Sequence, residues 1–352
     1  MTNNPGVVKV GRVVLGIAVA SLLGCGEMNG DTTEVKGELS AWGSWITAPG
    51  ELLNSSPALA ANGTNASTLT GYALGSNNQI WVTTSNGSTW SGSWSQLSNP
   101  GSTFTSSPSA VGLDVPSGGL VNHFALAAMR SDNKYYVRVQ NRAGSVVDSN
   151  WTAVGTMTFS TAPSITFVPA SAGSAPKNSL VLAGVGNDGR MYWARNTLGT
   201  GNTYSASNWT GFSTVGTTIF VSAPAVTYSQ NTLSGANSLI LAGGSEDVNG
   251  NVNFQYATYS GTAWSSFTML SGTFVSSPAL AVGRGELLTR EDTIYGVELD
   301  SKVYVAVIGG AFSAIGTQLS NGNPTAVGIG GEAYVGMRNT SSIGTSNSAF
   351  SP

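Results

Sequence analysis

Charge, histidine and cysteine are all scarce in this chain of 352 residues, and each scarcity removes a class of chemistry. Only 9% of the residues are Asp, Glu, Lys or Arg, 14 of them basic and 17 acidic. No basic stripe is available to neutralise phosphates, which argues against nucleic acid as a partner and against an anionic membrane surface as a ligand. With one histidine, His123, and one cysteine, Cys25, the chain cannot build a His/Cys zinc site or an internal disulfide, so packing must stabilise it. A Ser-His-Asp triad would have to use His123, and a lone histidine at a strand start is ordinarily incidental. No apolar run approaches the roughly 20 residues that a membrane-crossing helix requires. Helical periodicity is nearly missing too, whereas 46 glycines and many Ser, Thr and Asn residues suit short strands joined by tight turns.

The longest apolar run, Val13 to Leu23, follows Lys9 and Arg12 and has the length of a signal h-region, so residues 1–24 read as an export signal. Its last residues, Leu22-Leu23-Gly24-Cys25, resemble the bacterial lipobox. That resemblance implies a lipid on Cys25 and a protein held in the bacterial cell envelope, at the outer membrane or cell surface. The alternative is an unmodified cysteine beside an ordinary cleavage site. Residues 25–38 are polar and aperiodic and read as a flexible tether, which leaves residues 39–352 as a single domain.

Within that domain a short motif recurs at intervals of roughly 46 to 61 residues, a period that indicates a propeller or a solenoid. Its copies are Ser56-Pro57-Ala58-Leu59, Ser107-Pro108-Ser109-Ala110, Ala162-Pro163-Ser164-Ile165, Ala223-Pro224-Ala225-Val226, Ser277-Pro278-Ala279-Leu280 and Asn323-Pro324-Thr325-Ala326. Four residues before the proline stands Phe104, Phe159, Phe220 or Phe274, with Leu53 in the first copy. Proline fits the first residue of a strand, so each copy opens a strand A. An apolar strand B follows, then Asn77-Asn78, Asp132-Asn133, Asp188-Gly189, Asn249-Gly250 or Asp300-Ser301, pairs that supply the positive φ of a short hairpin. Strand C alternates, as in Gln79-Ile80-Trp81-Val82 and Arg190-Met191-Tyr192-Trp193. Strand D is expected to carry Trp94, Trp151, Trp209, Trp264 and Phe312 as one column.

The sixth copy lacks a strand D, while Trp42-Gly43-Ser44-Trp45 near the start resembles Trp90-Ser91-Gly92-Ser93-Trp94. An all-β, six-bladed β-propeller, closed by pairing of the N-terminal and C-terminal strands, explains both fragments and leaves no exposed sheet edge.

Asn178-Ser179-Leu180-Val181-Leu182-Ala183-Gly184, Asn187-Asp188-Gly189-Arg190-Met191-Tyr192-Trp193 and Trp209-Thr210-Gly211-Phe212 resemble the repeat of bacterial fucose-binding propeller lectins, over roughly residues 40 to 340. The resemblance implies a repeat propeller that binds glycans between its blades. It rests on scaffold positions, because the Arg, Glu and Trp set that fungal six-bladed fucose lectins repeat in each pocket does not recur here. Thr83 to Trp90 looks like a degenerate sialidase Asp-box with Ser in place of the aspartate, and reads as a structural hairpin.

Glycan binding needs aromatic faces for sugar C–H groups and polar side chains for hydroxyls. The outward column of strand C offers Trp81, Tyr136, Tyr192 and Tyr304, flanked by Gln79, Lys134, Arg190 and Lys302. Against this stands packing between blades, the commoner fate of such aromatics. A glycosidase would need two facing carboxylates about 5 to 10 Å apart. The most charged segment, Arg284 to Asp292, joins strands A and B of the fifth copy and reads as a solvated loop. Asp247, Asn249 and Asn251 place oxygens at alternate positions and are a candidate Ca²⁺ site, without the distal carboxylate of a full calcium loop. The sequence thus leads to a non-catalytic, cell-surface, lectin-like lipoprotein with glycans or glycoconjugates as partners. A protein-interaction scaffold of the envelope, and less readily a glycosidase or lyase, are the alternatives.

Overall fold

The computed structural model describes residues 46–48, 53–61, 69–85, 90–91, 93–97, 103–113, 115, 119–170, 172, 176–230, 237–284, 290–329, 332–338 and 348–351. Residues 1–24 and 25–38, read above as an export signal and a tether, and Trp42 to Trp45 lie outside the described residues.

The first described element is β1 (Ile46–Ala48), which belongs to the last sheet. Blade 1 contains β2 (Ala58–Ala61), β3 (Leu69–Leu74), β4 (Ile80–Thr84) and β5 (Ser95–Gln96), and blade 2 contains β6 (Ser109–Leu113), β7 (His123–Met129), β8 (Tyr135–Asn141) and β9 (Val146–Ala153). Blade 3 is β10 (Ser164–Val168), β11 (Ser179–Val185), β12 (Arg190–Thr197) and β13 (Ser213–Ile219). Blade 4 is β14 (Ala225–Gln230), β15 (Asn237–Glu246), β16 (Val252–Tyr259) and β17 (Thr268–Met269). Blade 5 is β18 (Ala279–Arg284), β19 (Arg290–Val297), β20 (Lys302–Val307) and β21 (Ser313–Leu319), and blade 6 starts with β22 (Thr325–Ile329), β23 (Glu332–Arg338) and β24 (Ser348–Ser351).

Each blade is a four-stranded antiparallel meander, and in each the first strand begins directly after the motif proline. Proline there forfeits no ladder hydrogen bond. The second-to-third-strand turns place Asn78 (φ 57°), Asn133 (58°), Gly189 (75°), Gly250 (79°) and Ser301 (64°) in the left-handed region, always at the second residue of the sequence pair.

First strands pack against one another in the cycle β2, β6, β10, β14, β18, β22 and back to β2, so the sheets form a closed ring around an axis. The sixth blade seals it, because β1 pairs with β24 and β24 with β23, giving the sheet order β1-β24-β23-β22. The D strand of this blade is therefore supplied by the start of the chain, just after the tryptophan pair that suggested it.

Among the described residues the buried apolar side chains gather into six clusters, one between each pair of neighbouring blades. Fully burying a side chain such as Phe or Leu contributes about 1.5–3 kcal/mol. At four of the six junctions the wedge is the phenylalanine four residues before the proline, whereas Leu53 and Ser320 hold that position at the other two. Phe159 stacks on Tyr135 of blade 2 at 3.9 Å and meets Phe212 of blade 3 edge-on at 4.7 Å. Phe274 repeats this with Phe254 at 3.9 Å and Phe312 at 4.7 Å.

One expected column is corrected. By strand pairing the residue preceding each D-strand pair is Trp94, Trp151, Phe212, Phe267 or Phe312. Trp209 and Trp264 instead match Trp90, each forming an isolated bridge at the turn from third to fourth strand, with Asn196, Tyr259 and Ser85 respectively. Two aromatics three or four residues apart occur in the same region of the repeat, and only the ladder shows which of them is equivalent.

Candidate functional site

All eight strand-C candidates lie at the rim where second-to-third-strand turns and D-to-A connections meet. In blades 1, 2, 3 and 5 the side chain of the turn residue holds both the hairpin backbone and the ring. One oxygen of Asp132, Asp188 and Asp300 accepts the backbone N–H of Lys134 (3.2 Å), Arg190 (3.1 Å) and Lys302 (3.0 Å). The other accepts the phenolic O–H of Tyr136 (2.9 Å), Tyr192 (2.9 Å) and Tyr304 (3.2 Å). In blade 1, Asn77 Oδ1 receives both the Gln79 N–H at 3.2 Å and the Trp81 indole N–H at 3.1 Å. The eight residues therefore form four separate clips, one per blade, and do not converge on one composite site.

The charges of the clips in blades 2, 3 and 5 are paired locally. Lys302 Nζ lies 2.9 Å from Asp300, whereas Lys134–Asp132 and Arg190–Asp188 are looser at 3.9 Å. These pairs are exposed and contribute little to stability. The hydrogen bond and charge of Lys302 hold the Asp300 carboxyl below its ordinary range, and the same contact raises the Lys302 ammonium. Desolvation pushes the Asp188 carboxyl up, but the Arg190 N–H and the Tyr192 hydroxyl outweigh it and leave the group lowered. The Tyr192 hydroxyl is raised by its bond to Asp188, and those of Tyr136 and Tyr304 by desolvation first and then by their aspartates.

Each aromatic ring remains half-buried, so inter-blade packing claims only part of it. One face of Tyr136 carries the guanidinium of Arg130, 3.9 Å from the ring centroid. Trp81 lies across Gly75, and Tyr192 and Met157 crowd Gly186, where a Cβ would come within 2.8 Å of the Tyr192 ring. The arrangement presents ring area beside a long polar or cationic side chain at equivalent points of four blades. Sequence reasoning found the ring column but not the turn acid that orients it, although an Asp four residues before each Tyr is readable once the clip is known.

Blade 4 departs from the scheme. Gln255 stands at the aromatic position and donates to Ser245 at 2.6 Å, and the hairpin is extended through Ser245↔Asn253 and Glu246↔Val252. At its tip the candidate calcium residues do meet, as a hydrogen-bonded turn. Asp247 accepts from the backbone N–H of Asn249 (2.8 Å) and of Asn251 (2.9 Å) and from the Asn251 side-chain amide (3.1 Å). The carboxylate oxygens are engaged by N–H donors, and Asn251 turns its nitrogen toward Asp247, so the oxygens do not converge as Ca²⁺ requires. Among the described residues no three His, Cys, Asp or Glu side chains cluster as a metal site.

His123 opens β7 and donates from Nδ1 to the Val121 carbonyl at 2.9 Å. In the charged segment of blade 5, residues 285–289 lie outside the described residues, and Asp292 accepts from Ser229 of blade 4 at 2.7 Å. Ser85 and Trp90 bridge at the base of the Asp-box-like hairpin.

The fold has solved counterparts. AofleA from Arthrobotrys oligospora superposes with a TM-score of 0.60 at 14% identity, over 89% of this chain and 87% of that one. A fucose-specific lectin from Aleuria aurantia matches with a TM-score of 0.59 at 15% identity, over 86% of this chain and 98% of the other. A protein of unknown function from Dyadobacter fermentans matches with 0.59 at 9% identity, over 87% and 96%. Neither a protein-family profile nor a curated protein matches the sequence. At these identities the likeness concerns architecture, and it identifies the chain as an all-β propeller of the six-bladed kind described for the Aleuria aurantia lectin.

Proposed function

We propose that the protein is a non-catalytic, lectin-like propeller that binds glycans through repeated shallow sites at the rim carrying the four clips. The observation that carries this reading is the recurrence, in blades 1, 2, 3 and 5, of a half-buried Trp or Tyr fixed by a turn acid or amide beside Gln79, Lys134, Arg190 or Lys302. Such a ring costs little entropy to dock, and repetition converts weak single sites into useful avidity. Among the structural neighbours, the Aleuria aurantia protein is described as fucose-specific, which makes fucosylated glycans the first ligands to try.

We further propose export and lipid attachment at Cys25, with display on the bacterial cell surface. The direction of β1 fits this reading. It runs toward the clip-bearing rim, which leaves Ile46 at the end of the strand farther from the clips.

A glycan array probed with the chain from residue 26 onward tests the binding. Calorimetry should then give several equivalent sugars per chain, with stoichiometry falling in Tyr192→Ala and Tyr304→Ala. Failure to bind any glycan rejects the lectin reading, and a Cys25→Ser variant that stays on membranes rejects the anchor.

The scaffold reading has one observation in its favour. Val221, Val248, Val275 and Leu299 are exposed at the same rim in blades 4 and 5, with Val248 fully so and Leu299 at 76%. The turn positions matching Val248 and Leu299 hold Ser76, Ser131 and Asn187 in blades 1 to 3. Capture of a defined envelope protein that is abolished by Val248→Ser and Leu299→Ser, without any glycan binding, would favour it.

A further inference from the structure

The four clips share a frame but not a charge. Two residues before each turn residue stands Gly75, Arg130, Gly186 or Glu298. Each forms an isolated bridge with the residue four before the motif proline, Leu53, Phe104, Phe159 or Phe274, so the position is equivalent in blades 1, 2, 3 and 5. In blades 1 and 3 the aromatic ring claims the space, since a Cβ at Gly75 would meet the Trp81 indole and one at Gly186 the Tyr192 ring. In blades 2 and 5 a charged side chain stands there instead.

Blade 2 carries an excess cation. The Arg130 guanidinium lies 3.9 Å from the Tyr136 ring centroid and 5.4 Å from that of Phe104. Among the described residues Arg130 has no ion pair, and its Nε is buried without a hydrogen-bond partner, a cost that glycine avoids in blades 1 and 3. Lys134 is loosely held as well. Its Nζ lies 3.9 Å from Asp132, whose two oxygens already accept the Lys134 backbone N–H and the Tyr136 O–H. Two cations therefore share one engaged carboxylate. Blade 5 reverses the sign, because Glu298 and Asp300 stand beside Lys302 alone, and Lys302 Nζ closes on Asp300 at 2.9 Å. Burial and then the charge of Asp300 raise the Glu298 carboxyl. Blade 1 has only Asn77 and Gln79, and in blade 3 Arg190 is matched by Asp188.

Stacking fixes the plane of a guanidinium and leaves its edge N–H groups to oxygen acceptors, a fork that fits the two oxygens of a carboxylate or sulfate. Resting on the reading that the clips bind glycans, we propose that they divide the ligand by charge. The blade 2 clip takes an acidic sugar through a carboxylate or sulfate held by Arg130 and Lys134. The clips of blades 1 and 3 take uncharged sugars, and that of blade 5 repels acid through Glu298.

The test is calorimetry of the purified protein with matched glycans: lactose, sialyllactose and sulfated lactose, and oligogalacturonate against its methyl ester. The expected result is one acidic site per chain, about tenfold tighter for the acid than for its neutral partner. Its affinity should fall as sodium chloride is raised, because salt screens an exposed charge pair. The tighter of the sialylated and sulfated arms names the anion. Arg130→Gln should bring the acid-to-neutral ratio to about one, and Arg130→Lys, which keeps the charge without the fork, should recover part of it. Glu298→Arg copies blade 2 into blade 5 and should raise the acidic sites from one to two, a gain that misfolding cannot imitate. Glycans bound with no preference for acid, or a preference that survives Arg130→Gln, would overturn the proposal and leave the lectin reading in place. Failure to bind any glycan, acidic or neutral, would overturn both.

Discussion

The ring of Tyr135, in the third strand of blade 2, fills the space that a Cβ at Gly184, in the second strand of blade 3, would need. The same two positions face each other at other junctions, and their sizes compensate. Met191 meets Gly243, Phe254 meets Gly296, and Ile80 packs in one cluster with Ala128. Where the third-strand residue is the small Val303, its partner is the large Met337. A ring of six junctions has a fixed circumference, so each junction must be filled to similar depth, and volume lost on one side returns on the other.

Gly184→Ala is therefore expected to destabilise the protein by about 1–3 kcal/mol through overpacking. Tyr135→Ile, which copies the Ile80 and Ala128 pairing, should relieve much of that penalty when combined with it. Urea denaturation of the two single variants and the double variant gives the coupling energy directly. Simple additivity would contradict direct contact.

Removal of the chain through Ala48 takes away the fourth strand of blade 6 and leaves β24 with a free edge. Three residue pairs are lost, a cost of about 2–4 kcal/mol at roughly 1 kcal/mol per hydrogen bond, and the open edge invites association. Equilibrium unfolding and light scattering should show a lower midpoint and larger particles. An unchanged midpoint would mean that the ring does not depend on this closure.

Ser301 occupies the left-handed region at φ 64°, where the matching turns of blades 3 and 4 have Gly189 and Gly250. A residue with a Cβ costs roughly 1 kcal/mol there, so Ser301→Gly should stabilise the protein by about 0.5–1 kcal/mol and Gly189→Val should destabilise it. Thermal melts of the two variants should move in opposite directions.

The turn aspartates make stability depend on acid. Asp300 is lowered chiefly by its hydrogen bond from Lys302, Asp247 chiefly by the N–H of Asn251, and Asp188 by its donors against an opposing desolvation. A carboxyl that titrates lower in the folded chain than in the unfolded one adds stability in full above the unfolded value of about 3.8, and loses it as pH falls through the folded value. Denaturation midpoints should be level from about pH 7 to 5 and fall below about pH 4. Asp188→Asn together with Asp300→Asn should shallow that fall, and an unaltered slope would show that other carboxylates carry it.

The local pattern alone specified much of this molecule. The six prolines mark where first strands begin, and Asn78, Asn133, Gly189, Gly250 and Ser301 mark the turns, because both rest on the covalent limits of single residues. The unmatched D-type fragment at the start and the missing strand at the end also predicted closure, since an unpaired edge is costly in any sheet. Which aromatics are equivalent was decided only in three dimensions, where the ladder assigned Phe212 and Phe267, not Trp209 and Trp264, to the D column. The clips were decided there too, because a phenol can reach the turn carboxylate only after the hairpin brings Tyr192 over Asp188. So was the axial cavity, which exists only because six distant prolines meet around one axis.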